Sequence, residues 1–262
     1  MRQDERRLYL IRWLLDERGQ ADDGAVPTDE RGQKELLRAL VNVREAAPID
    51  EEFLRVQDEY LKEEARLGGV VRASELAPLC TTRAGVALCL WQGDITRLEC
   101  DAIVNAANSS LEGCFIPGHR CIDNCIHTAA GVQLRATCAA LIRRQGRQEP
   151  TGSAKITPAF NLPCRYVLHT VGPIISGQPT AAQRGQLASC YSSCMSLAAE
   201  KGLKSVAFCC ISTGVFHFPN DQAAEIAVDT VASHPTGSVK QVVFNVFKDE
   251  DRQIYERLLA RS

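Results

Sequence analysis

Ala102-Ile103-Val104-Asn105-Ala106-Ala107-Asn108-Ser109-Ser110 begins as a short apolar run and gives way to small and amide side chains. Ala102–Asn105 reads as a strand, and the residues after it read as the loop at the strand's end. Similar runs stand at Val86–Trp91, Ala154–Thr157, Tyr166–Thr170, Val206–Ile211 and Val239–Asn245. Helical patterns lie between them, over 123–143, 181–201, 220–233 and 249–260, and Thr180 with Gln183 spells a capping box for the second. Strands alternating with helices give an α/β fold, and runs that are apolar on both faces give a sheet covered on both sides. The expected architecture is a three-layer α/β/α sandwich with a mixed central sheet.

Upstream the texture is different. Leu8, Ile11, Trp13, Leu14 and Leu15 form one apolar stripe before Gly19, and Leu36, Leu37, Leu40 and Val41 form a second after a cap at Thr28 or Asp29. A third helix starts at Asp50, flanked by the staple pair Ile49 and Leu54. Gly68-Gly69 and Pro78 mark the change, so residues 1–68 are assigned to a helical subdomain and 69–262 to the α/β body.

The 262 residues suffice for one large core without disulfides. Met-Arg-Gln-Asp-Glu-Arg-Arg at the start holds no apolar signal region and no later run spans a bilayer, so the twelve cysteines are expected as free thiols in a cytoplasmic protein. A formal net charge of −2 with no Lys/Arg block argues against a general nucleic-acid binder, and no membrane partner is expected.

Three loops carry candidate chemistry. Gly93-Asp94-Ile95-Thr96 places a carboxylate where it either accepts from an exocyclic amine or initiates an Asp turn. The loop after Asn105–Ser110 contains Cys114-Phe-Ile-Pro-Gly-His119-Arg-Cys121, three soft ligands in eight residues. His119 and Cys121 share one side of an extended segment, and Pro117-Gly118 turns the chain back toward Cys114. Three ligands leave a tetrahedral zinc one place short, the mark of catalytic rather than structural sites. Asp123-Asn124 then opens a helix whose first amides attract anions.

The third loop, Ile211-Ser212-Thr213-Gly214-Val215-Phe216-His217-Phe218-Pro219, runs from strand to helix. Its amides can turn toward a phosphate at Gly214, and Phe216 offers an apolar face. Cys190 and Cys194 share a helical face and read as core, as do Cys125 and His127. The His-x-Glu with Pro-Cys-x-x-Cys of nucleobase deaminases is absent, as is His-Glu-x-x-His.

From about Trp91 onward the chain resembles the macrodomain family. The likeness rests on Gly-Asp-Ile-Thr at 93–96, Asn-Ala-Ala-Asn-Ser-Ser at 105–110, Ile-His-Thr-Ala-Ala-Gly at 126–131, His-Thr-Val-Gly-Pro at 169–173 and Ile-Ser-Thr-Gly-Val-Phe at 211–216. The Cys114/His119/Cys121 insertion replaces the glycine run of the ordinary hydrolytic branch and is similar to the metal ligands of the zinc-containing, sirtuin-associated branch. The resemblance implies an ADP-ribose cleft. In it Asp94 and the Ile95 amide hold adenine, Ser212, Thr213, Gly214, Val215 and Phe216 wrap the diphosphate, and Asn108 addresses the distal ribose.

By the same resemblance Asn108 and Asp123 are the catalytic pair, and one zinc per chain sits on Cys114, His119 and Cys121. The implied activity is hydrolysis of mono-ADP-ribose from protein side chains, Asp- or Glu-linked, reversing sirtuin-type modification in a monomeric protein with a functionally linked sirtuin. Zinc would either position a ribose hydroxyl or scissile oxygen, or activate a water. The alternatives are an ADP-ribose reader with a structural zinc and an O-acetyl-ADP-ribose deacetylase.

Overall fold

The computed structural model describes residues 1–20, 26–235 and 237–260. Its first helices are α1 (Gln3–Glu17), α2 (Glu30–Val43) and α3 (Glu51–Gly68). Asp29 rather than Thr28 caps α2, accepting from the Gly32 amide at 2.9 Å, and Asp50 caps α3 by accepting from Phe53 at 2.6 Å. Each cap satisfies an amide that the first turn leaves unpaired, worth about 1 kcal/mol. Leu10, Ile11, Leu14, Leu37, Leu40, Phe53, Val56 and Tyr60 close a small core of their own, which Val132 of the body also enters.

The body follows with β1 (Val71–Arg72), β2 (Cys80–Thr81), β3 (Ala87–Gln92), β4 (Leu98–Glu99) and β5 (Ala102–Ala107). Next come α4 (Ile122–Ala130), α5 (Val132–Gln145), β6 (Ala154–Pro158), β7 (Tyr166–Val171) and α6 (Ala181–Glu200). The chain ends in β8 (Ser205–Phe208), α7 (Asn220–Ser233), β9 (Gln241–Val246) and α8 (Asp249–Leu259). The main sheet runs β2-β3-β9-β8-β5-β7-β6, while β1 and β4 form a separate parallel pair. Only the outer pairings β2–β3 and β6–β7 are antiparallel; the five strands between are parallel, and helices cover both faces. Ile103, Val104, Val167, Leu168, Val242 and Val243 are accordingly shut away from water on either side.

Two expected elements need correction. The helix anticipated over 123–143 is two helices, α4 and α5, bent by 112° at Gly131. Gly131 has φ +97, and a Cβ there would meet Gln57 and Gln133, so only glycine fits. The bend exposes backbone groups that α3 satisfies: Gln57 Oε1 accepts from the Val132 amide at 3.0 Å. The strand expected over Val206–Ile211 stops at Phe208, because Cys209–Ile211 already lead into the turn at Ser212. No single helix among the described residues is long and apolar enough to cross a membrane.

Candidate active site

Because β3, β9, β8, β5 and β7 are parallel, their carboxyl ends share one edge of the sheet. From β5 the chain goes on to β6 and β7, and from β8 it goes to β9 on the other side. Adjacent strands that lead apart in this way open a crevice at their carboxyl ends, the usual ligand position in such sheets. All three loops singled out in the sequence lie along that edge.

The turn after β8 presents unpaired amides. Those of Gly214, Val215 and Phe216 carry no hydrogen bond among the described residues, while the Ser212 and Gly214 carbonyls accept from Phe218 and His217 at 3.0 Å. Ser212 is held at φ +65, costly for a side-chain-bearing residue, and its buried hydroxyl has no partner. Its neighbour Gly172 is packed so tightly that a Cβ there would strike the Ser212 hydroxyl and the Ile211 side chain. The Phe216 carbonyl accepts from Ile175 at 2.8 Å, joining this turn to the loop after β7. His217 is exposed, with its backbone left-handed at φ +57.

Asp123 lies in the first turn of α4, buried, with Oδ1 accepting from Asn105 Nδ2 at 2.7 Å. Burial pushes its carboxyl up to about 6, against the lowering pull of the Asn105 bond, the Asn108 amide and the Arg135 charge. Asn105 Nδ2 also lies 3.2 Å from His169 Nδ1, and His169 Nε2 lies 3.0 Å from Thr157 Oγ1. An amide can only donate through its nitrogen, so Nδ1 of His169 accepts and its proton sits on Nε2, pointing at Thr157. Burial drives His169 down to about 3 and His127 well below its ordinary range, so both rings are neutral. The 3.5 Å approach of His127 Nε2 to Asp123 is therefore not an ion pair.

Between β5 and α4 the loop brings its soft donors together. One ligand atom each from Cys114, His119 and Cys121 lies within 4.8 Å of the others, the only such cluster among the described residues. Cys114 Sγ and His119 Nδ1 are 3.4 Å apart. Two donors on a tetrahedral zinc, at about 2.3 Å for sulfur and about 2.0 Å for nitrogen, stand roughly 3.5 Å from each other, so the separation fits that ion. Burial pushes the Cys121 thiol up to about 11. A cation would reverse that effect by favouring the thiolate.

Asn108 folds the loop: Nδ2 donates to the Gly113 carbonyl at 2.8 Å, and Oδ1 accepts from Ser110 Oγ at 2.7 Å. One amide hydrogen of Asn108 remains for a ligand.

At the other end of the edge, Asp94 caps a short turn by accepting from the Thr96 amide at 3.0 Å and its hydroxyl at 2.7 Å, all through Oδ1. The Asp-turn reading is thus met through Oδ1, and no hydrogen bond to Oδ2 is made among the described residues. The Ile95 side chain is buried beneath this turn. Beside it Phe247, 76% exposed, follows β9 and offers a flat apolar face that sequence reasoning did not single out. Its only signal was position, one residue beyond an apolar strand.

Cys190 and Cys194 are fully buried in α6. Cys125 is half-buried and lies outside the three-donor cluster.

The Macro domain family matches residues 104–227. A Treponema medium protein named Protein-ADP-ribose hydrolase is 55% identical over 262 residues, spanning 99% of this chain and 100% of its own length. The chain belongs to the macrodomain family. A second relative of this macrodomain, a Protein-ADP-ribose hydrolase of Staphylococcus aureus (strain MRSA252), is 49% identical over 257 residues, 97% of this chain and 95% of its own.

Among solved structures, the Trypanosoma brucei macrodomain in complex with ADP-ribose is similar, with a TM-score of 0.64 and 30% identity over 84% of this chain and 94% of that one. The Oceanobacillus iheyensis macrodomain with ADP gives a TM-score of 0.61 and 37% identity over 68% of this macrodomain and 92% of that chain.

Proposed function

We propose that this macrodomain is a zinc-dependent hydrolase that releases mono-ADP-ribose from Asp- and Glu-linked proteins in the cytoplasm, reversing modification by a linked sirtuin. Protein-ADP-ribose hydrolysis itself rests on relatives that carry that name at 55% and 49% identity over nearly the whole chain. The observation behind the finer reading is the three-donor cluster, set in the loop that leads directly to Asp123.

ADP-ribose is laid along the carboxyl edge of the sheet. Asp94 Oδ2 accepts from the adenine amine and Phe247 covers the ring. The free amides of Gly214, Val215 and Phe216 receive the diphosphate, where backbone donors need no counter-charge from lysine or arginine. The remaining Asn108 amide hydrogen meets a hydroxyl of the distal ribose, which brings its anomeric carbon toward Asp123. Cys114, His119 and Cys121 would hold zinc, which supplies Lewis-acid stabilisation of charge when bound.

In the reaction the bond from the anomeric carbon to the side-chain carboxylate breaks with its electron pair on the carboxylate. Water supplies the hydroxyl that replaces it, and Asp123 takes the water's proton. A carboxyl held at about 6 is mostly ionised at neutral pH yet basic enough to accept that proton. Asn105 keeps the accepting oxygen in place.

The decisive experiment incubates Asp/Glu-, Ser- and Arg-linked mono-ADP-ribosylated proteins, and O-acetyl-ADP-ribose, with wild type and Cys121→Ser. Released ADP-ribose and bound zinc are followed together. The reading expects release from the acidic linkage, lost with the metal. Undiminished release after verified metal loss overturns the zinc dependence, and retention of modified protein without release identifies a reader instead.

A further inference from the structure

Helix α2 turns two of its polar residues, Arg38 and Asn42, toward the donor loop rather than toward water. Asn42 is fully buried: its Oδ1 accepts from the Gly118 amide at 3.1 Å, and its Nδ2 donates to Thr128 Oγ1 at 3.0 Å. One turn earlier, Arg38 Nη2 donates to the His119 carbonyl at 3.0 Å and lies 3.4 Å from Cys125 Sγ. Residues four apart share a helix face, so a single face of α2 grips two consecutive residues of the loop.

A third side chain ties the two together from α5. Arg135 Nε donates to the Glu112 carbonyl at 2.6 Å, and its Nη1 donates to the carbonyls of Val41, at 3.1 Å, and Arg44, past the end of α2. Its guanidinium carbon lies 4.5 Å from the centre of the Phe115 ring.

Gly118 adopts φ +68, and the space that a Cβ would occupy there is open. Besides its own bond from the His119 amide to the Ile116 carbonyl at 3.1 Å, the turn that aims His119 back at Cys114 is held by the bonds to Asn42 and Arg38. Buried polar bonds of this kind contribute little net stability but fix geometry, because an unmade one is costly. Groups that orient a ligating histidine tune metal affinity in the same way as the ligands' own placement.

We infer that Asn42 and Arg38 are positioning residues of the Cys114–Cys121 loop, and that setting the His119 imidazole against the two thiols is a task of the N-terminal helices. This rests on the metal reading above. The remaining contacts of the N-terminal segment with the α4–α5 bend are separate from it, through Gln57 to Val132 and Gln133, and through Asp58 to Gln133 and Asn161. They therefore provide a control at the same interface.

The test measures zinc affinity by competition with a chromophoric chelator for wild type, Asn42→Ala, Arg38→Ala, Arg38→Lys and Gln57→Ala. Amide exchange over 115–120 is followed in the same proteins without metal. Asn42→Ala and Arg38→Ala are expected to weaken zinc binding by about tenfold or more and to speed exchange at Gly118 and His119. Arg38→Lys, which keeps a donor, recovers part of the affinity, and Gln57→Ala leaves it unchanged while lowering thermal stability.

Wild-type affinity in both alanine variants overturns the inference. So does an equal loss in Gln57→Ala, which would reduce the effect to docking of the helices. A wild-type protein that takes up no zinc overturns the metal reading itself, an outcome distinct from unaltered affinity in the variants.

Discussion

Asn105 Nδ2 donates to Asp123 Oδ1 at 2.7 Å, so a side chain in strand β5 sets the direction of a carboxylate on helix α4. The bond also stabilises the ionised form, working against the burial that raises Asp123 to about 6. Asn105→Ala removes that donor, so the Asp123 pKa rises further. The acid limb of the kcat profile is expected to move to higher pH, with activity near pH 8 better preserved than at pH 6. Asp123→Asn should cut kcat by about a hundredfold or more at every pH. Steady-state release of ADP-ribose across pH 5–9 measures both.

His169 gives a stability prediction of defined sign. Its folded pKa is about 3, below an ordinary value of 6.5. Below pH 6.5 the unfolded chain takes up a proton that the folded one refuses, so stability present at neutral pH is lost as the pH falls. The loss is about 2 kcal/mol by pH 5. Asp123 works oppositely: its folded pKa of about 6 lies above its ordinary 3.8, so folding gains from acid between those values. In His169→Gln the opposed slopes of His127 and Asp123 remain. Urea unfolding at pH 7 and pH 5 should find the stability advantage of wild type over the variant reduced by about 2 kcal/mol at the lower pH.

Gly172 marks where the loops after β7 and β8 touch. Gly172→Ala drives a methyl against Ser212 and Ile211, and relief requires the Ser212 turn to move. The cost is about 1–3 kcal/mol of stability. ADP-ribose affinity, read by calorimetry, should fall with it, because the amides of Gly214 to Phe216 shift off the diphosphate. Affinity equal to wild type would show that the turn is not the phosphate site.

Gly131→Ala tests the bend between α4 and α5. An L-residue at φ +97 is strained, and its Cβ displaces the amide ends of Gln57 and Gln133. Unfolding free energy should drop by about 1–3 kcal/mol, and exchange of the Val132 amide should quicken as Gln57 lets go. Intact Val132 protection would argue that α3 holds the bend without Gln57.

Much of this molecule was legible in its sequence because the decisive signals are local. Strands β3, β5, β6, β7, β8 and β9 stood out as apolar runs, and Asp50 announced α3 by the cap that its side chain makes. The two-residue strands β1, β2 and β4 were not visible, since so short a pairing leaves no periodicity. The break at Gly131 was hidden because the apolar pattern continues through α4 into α5, and a lone glycine inside such a pattern is tolerable in a straight helix.

Cys114, His119 and Cys121 were readable together because they lie within eight residues. Asn42, Arg38 and Arg135 were not, for their partners are distant in the chain and nothing in an Asn or Arg on a helix names a partner. The network from Thr157 through His169 and Asn105 to Asp123 was hidden in the same way: its members belong to motifs whose spatial meeting only strand pairing reveals.

The contact between Asn42 and Gly118 joins residues 76 positions apart, and the earlier partner is the one that does the holding. A chain made from its amino end brings out the segments of α1 to α3 before the donor loop leaves the ribosome, and Val132, the last member of their small core, follows the loop. The cradle thus precedes the loop it receives. Under the metal reading proposed above, acquisition of the ion belongs to the last stage of maturation, after α5 has delivered Arg135, and thiols emerging before that point meet the cell without a geometry that selects one ion over another.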